Sequence, residues 1–158
     1  LADYAFITLD ALPDTSGSSF ALGSVLKPDC VVVKGHVPIH WELDDGLPLV
    51  QGSEQTFLHI MNSLVDNAAK FTRAGYITIT AQVIQARVDI TVTDTGIGIP
   101  QTLQGYVFQP FYQLDPTVYG LGLGLFIAQA FVGKLGGRLL MHSTPDVGTQ
   151  LQFSLKHA

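Results

Sequence analysis

A chain of 158 residues that is 47% apolar and 13% charged has the material for one buried core and few solvated faces. A net charge of -5, with no run of Lys or Arg, excludes the clustered cations that nucleic-acid phosphates require. One cysteine, Cys30, excludes an internal disulfide and a multi-cysteine metal site, and fits a reducing compartment such as the cytoplasm.

Leu1 opens the chain without Met and without a basic, apolar leader, so the sequence reads as a piece of a longer chain with no secretory signal. Pro13 to Ser19 has the composition of turns and linkers. Residues 1–19 are therefore expected to be a linker or the end of a preceding helix, and residues 20–158 one domain. Phe20, Leu22, Val25 and Leu26 predict a short amphipathic helical turn stopped by Pro28. Ile39, Trp41 and Leu43 alternate with His40 and Glu42, which predicts a half-buried strand over Val37 to Leu43, closed by Gly46 to Pro48. From Glu54 to Phe71 apolar residues recur at helical spacing without Gly or Pro, predicting an amphipathic helix. Two strands follow, Tyr76 to Ile84 and Arg87 to Asp94, joined tightly enough for an antiparallel hairpin. A Gly- and Pro-rich region, Gly96 to Gly120, precedes a second helix over Leu123 to Leu135 with Gly136-Gly137 as its stop. Val118 to Gly133 is the most apolar stretch, but it falls short of the roughly 20 residues that cross a bilayer, so no membrane insertion is expected. Arg138 to Ser143 and Thr149 to Lys156 complete the chain as strands.

Four groups of residues carry chemistry. Alternation places Asp94 on the apolar face of Val88, Ile90 and Val92, aiming a carboxylate into a covered space. A buried carboxylate needs a donor, and the exocyclic amine of adenine is one; a capping or turn aspartate is the competing reading. Gly96 and Gly98 then allow the backbone to pass close to a flat ligand, and Ile99 follows them. Thr149, after Gly148, alternates onto the face of Leu151, Phe153 and Leu155, so a second polar group points inward.

On the long helix His59, Ser63, Asn67 and Lys70 form one polar stripe, either a solvated face or the wall of a cleft. In a cleft, the Asn67 amide oxygen can join a magnesium shell and Lys70 can neutralise phosphate charge. Asn62, Asp66 and Arg73 form a rival line, expected to be the solvent face. Gly120-Leu121-Gly122-Leu123-Gly124-Leu125 opens the second helix, where free amides and the positive dipole end can hold phosphate oxygens. Its position after a long loop does not suit a dinucleotide fold, and no Gly-Lys-Ser or Gly-Lys-Thr forms a Walker loop.

In order, Asn67-Ala68-Ala69-Lys70-Phe71-Thr72, Asp94 to Pro100, Phe108-Gln109-Pro110-Phe111, Gly120 to Leu125 and Gly148-Thr149 resemble the catalytic ATP-binding domain of sensor histidine kinases, of the Bergerat-type ATPase-kinase superfamily. The resemblance covers about Phe20 to Lys156. It implies an α+β two-layer sandwich, with helices on one face of a mixed, mainly antiparallel sheet and ATP between the layers. It further implies that Asp94 binds the adenine amine, Thr149 supports it through water, Asn67 holds Mg2+ and Lys70 faces phosphate. Gly96, Gly98, Gly120, Gly122 and Gly124 would give room or amides beside Ile99, Leu123 and Leu125, and Phe108 and Phe111 would anchor a lid running to Tyr119. The implied reaction is γ-phosphoryl transfer to a histidine on a separate dimerisation domain, with a response regulator downstream. None of His36, His40, His59, His142 or His157 stands in the usual acceptor context, and they are read as structural or surface residues. The sequence departs from the family at Ser63, where Asn or a Glu base is usual, at Leu121, where a small hydroxyl residue is usual, and in a short lid without Lys or Arg.

Overall fold

The computed structural model describes residues 17–31, 35–118 and 120–158. Strand β1 (Ser19–Ala21) leads into a single turn, α1 (Leu22–Val25); β2 (Ile39–Leu43) and β3 (Leu49–Gln51) precede the long helix α2 (Glu54–Phe71). The hairpin β4 (Ile77–Ile84) and β5 (Arg87–Asp94), a short 3-10 turn at Gln101–Leu103, helix α3 (Gly124–Lys134) and strands β6 (Leu140–Thr144) and β7 (Gly148–Lys156) follow. The main sheet has the order β2-β4-β5-β7-β6, with β2 parallel to β4 and the other pairs antiparallel. It is the expected mixed, mainly antiparallel sheet, and α2 and α3 cover it.

The helix over Glu54–Phe71 keeps the predicted bounds because its local chemistry is complete. Ser53 caps it, its Oγ accepting from Thr56 N at 3.4 Å, and Phe57, Ile60, Met61, Leu64, Val65 and Ala68 bury one face. At the other end Thr72 Oγ1 donates to Ala68 O at 2.8 Å. Helix α3 stops where Gly136, at φ 75°, closes a Schellman motif: Gly137 N donates to Val132 O and Gly136 N to Gly133 O, both at 3.0 Å. Phe57 and Phe153 meet in the core, with ring centroids 6.3 Å apart, and Phe131 is buried in the same core cluster.

Three local expectations change. Phe20 belongs to β1, paired opposite Val50, so the expected helical turn begins after it, at Leu22. The β1–β3 pair was not predicted, because three-residue strands are too short for a periodic signal. Ser19 already pairs with Gln51, and Ser18 O accepts from Gly52 N at 2.9 Å. The linker reading of residues 1–16 lies outside the described residues.

Candidate functional site: a cavity between the long helix and the sheet

Asp94 closes β5 opposite Thr149, the second residue of β7. Only 6% of it is exposed, and both hydrogen bonds to its carboxylate arrive at Oδ1, from Gly96 N at 2.9 Å and Thr149 N at 3.3 Å. Oδ2 is left for a donor in the cavity that Asp94 lines. Burial raises the Asp94 pKa above its ordinary value of 3.8, against the lowering effect of those two N–H donors.

Backbone contacts hold the corner after Asp94. Ile97 N donates to Phe71 O at 3.1 Å, which sets the corner against the C-terminal end of α2. A Cβ on Gly96 would lie 2.2 Å from Phe71 O, and one on Gly98, at φ 67°, 2.1 Å from Thr144 O. These glycines are therefore required by neighbouring backbone as well as by any ligand. Ser143 ties the corner to the sheet: its Oγ accepts from Ile99 N at 2.8 Å and sits 2.8 Å from Thr149 Oγ1. Gln104 Nε2 adds bonds to Ile99 O at 2.9 Å and Ser143 O at 3.1 Å.

A cavity of about 480 Å3 extends from this corner along α2. Asn67, Lys70, Asp94, Gly98, Ile99, Gly120, Gly122, Leu123, Gly124, Leu125 and Thr149 all line it, as do His59 and Ser63. The polar stripe of α2 is thus the wall of a cleft. The expectation that Asn62 and Asp66 form the solvent face is corrected: both line the cavity, which is wide enough to take in two adjoining helical rows. Arg73 alone of that line is exposed.

Gly96, Phe108 and Phe111 are not among the residues that line the cavity. Gly96 lies behind Asp94 against α2, and Phe108 packs on the core. Phe111 is 72% exposed, so its ring anchors nothing; its backbone does, with φ 65° and its N–H donating to Gly122 O at 2.9 Å. Between these points Tyr112, Gln113, Leu114, Asp115 and Val118 cover the cavity, Gln113 Nε2 donating to Gly120 O. Thr117 holds the Asp115 carboxyl below its ordinary range through Oγ1 and N bonds. The far end of the proposed lid, Tyr119, lies outside the described residues.

The part of the cavity around Lys70 is thinly charged. Lys70 Nζ is 2.9 Å from Asp66 Oδ2, one turn back on α2, so the cavity's lysine already has a counterion. A Cβ on Gly120 would lie 3.1 Å from the same Nζ. The first turn of α3 takes no side-chain cap at Leu123, which leaves its amides for an anion. Ser143, Gln104 and Gln113 were missed in the sequence because no local pattern marks a residue whose partners lie five to 44 positions away. Among the described residues no helix is long and apolar enough to cross a membrane, and no group of three or more His, Cys, Asp or Glu residues is placed to hold a metal.

A helix-on-sheet sandwich with this cavity is the architecture of an ATPase-type nucleotide domain. The model for the histidine kinase-, DNA gyrase B- and HSP90-like ATPases matches residues 52–158, and the chain belongs to that family. Its relatives are sensor kinases. It is 36% identical over 115 residues to the signal transduction histidine-protein kinase BarA of Escherichia coli, a match covering 67% of this chain and 12% of that protein. It is 33% identical over 120 residues to the alginate biosynthesis sensor protein KinB of Pseudomonas aeruginosa, covering 75% of this chain and 20% of that one. The chain therefore spans a small part of the curated relatives it matches. Full-length ShkA in complex with AMPPNP aligns with a TM-score of 0.69 at 30% identity, over 77% of this chain and 26% of that chain. The catalytic domain of the histidine kinase ThkA aligns at 0.67 and 25% identity, over 76% of this chain and 78% of that one.

Proposed function

We propose that the domain, which includes Ser18 and Ser19 through their contacts with Gly52 and Gln51, is a catalytic domain that binds Mg-ATP along α2 and presents the γ-phosphoryl group to a histidine of a separate phosphoacceptor domain. The observation that carries this reading is Asp94, a buried carboxylate with one oxygen satisfied by backbone and the other open to the cavity.

Asp94 Oδ2 accepts from the adenine amine, while the Ser143–Thr149 hydroxyl pair and Gly98 keep the purine slot in shape. Phosphates run toward Asn67 and Lys70, with the uncapped amides of α3 opposite them. The donor set fits magnesium, which takes few protein ligands beside substrate phosphates, and the Asn67 amide oxygen is the ligand this helix offers. Bound there, Mg2+ would neutralise charge on the β- and γ-phosphates. Ser63 cannot act as a general base for water, so the isolated domain is expected to release phosphate only slowly. A response regulator would take the phosphoryl group next, in the cytoplasm where ATP is supplied.

The Lys70–Asp66 pair and the lid without Lys or Arg favour a second reading, a regulatory module that holds nucleotide without transferring it. Incubating the domain with its phosphoacceptor domain, Mg2+ and γ-labelled ATP decides between them. Label on histidine is expected; bound nucleotide with no label on histidine would establish the regulatory module instead.

A further inference from the structure

The cavity runs further along α2 than Asp94, Asn67 and Lys70 require. With the Asp94 corner at Phe71, the wall recedes by turns through Asn67 and Ser63 to His59. At 1.5 Å per residue His59 stands roughly 12 Å beyond Asn67 along the axis, and roughly 18 Å from Phe71. Its ring meets Phe131 of α3 edge-on, with centroids 5.8 Å apart and planes at 87°. This contact fixes the ring by packing, and His59 makes no hydrogen bond to the described residues.

The charges around it give this position its meaning. Lys70 is already paired with Asp66. The lid brings Tyr112 and Asp115, and Asp94 lies at the opposite end. Helix α3, which packs against His59, has Lys134 as its one charged residue, in its exposed last turn. On α2 itself the other charged residues are Glu54, Asp66 and Lys70. Apart from Lys70, His59 is the cavity-lining side chain able to carry positive charge.

We propose that His59 is the terminal-phosphate contact of a nucleotide laid along α2, its ring N–H donating to γ-phosphoryl oxygens and its imidazolium form supplying the positive charge that the lid lacks. The assignment rests on the reading of this cavity as an ATP site. A contact this far from Asp94 touches the third phosphate only, so it separates ATP from ADP and is lost once the phosphoryl group has left. An imidazolium–phosphate contact depends on the protonated ring, so pH tests it.

Calorimetric titration of ATP and of ADP, each with Mg2+, into the wild type and His59→Gln at pH 6 and pH 8 tests this. In the wild type the ratio of ATP to ADP affinity should be about five- to tenfold higher at pH 6 than at pH 8, the scale of one charge-assisted hydrogen bond in a partly open site. His59→Gln should abolish most of that difference while leaving ADP affinity within about twofold; the two proteins share any titration of the nucleotide itself. His59→Lys should keep the high ratio at both pH values. Nucleotide binding with a ratio that His59→Gln leaves unchanged overturns the assignment of His59 and spares the ATP reading. Failure of both nucleotides to bind overturns the ATP reading as well.

Discussion

The Asp94 end of the cavity, proposed to take the purine, and the Lys70 end, proposed to take the phosphates, are built from different materials. At the purine end the groups are fixed by backbone. Asp94 is locked by two amides, Ile99 and Thr149 converge on one serine hydroxyl, and the glycines at 96, 98 and 148 stand where any Cβ would meet a carbonyl or its neighbours. At the phosphate end the groups are long side chains on one helix, an exposed lid and the open first turn of α3. A rigid slot suits recognition of an invariant base. A looser end suits a reaction in which a second domain must enter and a product must leave.

Substitutions that separate the ends sharpen this contrast, and the largest effect is expected at the rigid one. Gly98→Ala forces a side chain at φ 67° into Thr144 O and should destabilise the fold by about 2–4 kcal/mol in urea unfolding. A change under about 1 kcal/mol would mean that the corner is soft. Asp94→Asn should weaken ATP binding by about 1–3 kcal/mol by leaving a mismatched polar contact. The same substitution should raise the melting temperature of the free domain at pH 7. The sign follows from burial: a carboxyl whose pKa is raised on folding contributes stability that is present below its ordinary 3.8 and lost as pH climbs through the folded value. The melting advantage of Asn over Asp should therefore shrink as pH is lowered toward 3.8. Ser143→Ala removes the acceptor of Ile99 N and should cost roughly 1–2 kcal/mol of stability, read in the same urea series. Smallest is Asp66→Asn at the open end: freeing Lys70 should strengthen ATP binding about two- to fivefold and move stability by less than about 0.5 kcal/mol. Weaker ATP binding in that variant would make Asp66 a holder of the site instead of a competitor for Lys70.

The sequence is most legible where one residue's neighbours along the chain determine its fate. The bounds of α2 follow from its own periodicity and from the absence of Gly and Pro within it, and the phase of β5 and β7 alone points Asp94 and Thr149 the same way. Opaque features depend on distant contacts. Whether a polar helical stripe faces water or a cavity is decided by what lies over it, and for Asn62 and Asp66 that is a lid about 50 residues later in the chain. Phe111 has the composition of an anchor, yet a positive φ turns its ring to solvent and leaves the anchoring to its amide. Ser143 carries no local mark at all, because its role arises from the pairing of β6 with β7.

The central claim is that Asp94 reads the amine of the purine. ATP and inosine triphosphate carry the same phosphates and differ at the purine 6-position, where an amine becomes a carbonyl that the Asp94 carboxylate would repel. Calorimetric titration of both with Mg2+ into the wild-type domain should give inosine triphosphate an affinity about 10- to 100-fold lower than ATP. Equal affinities would contradict the account at its base.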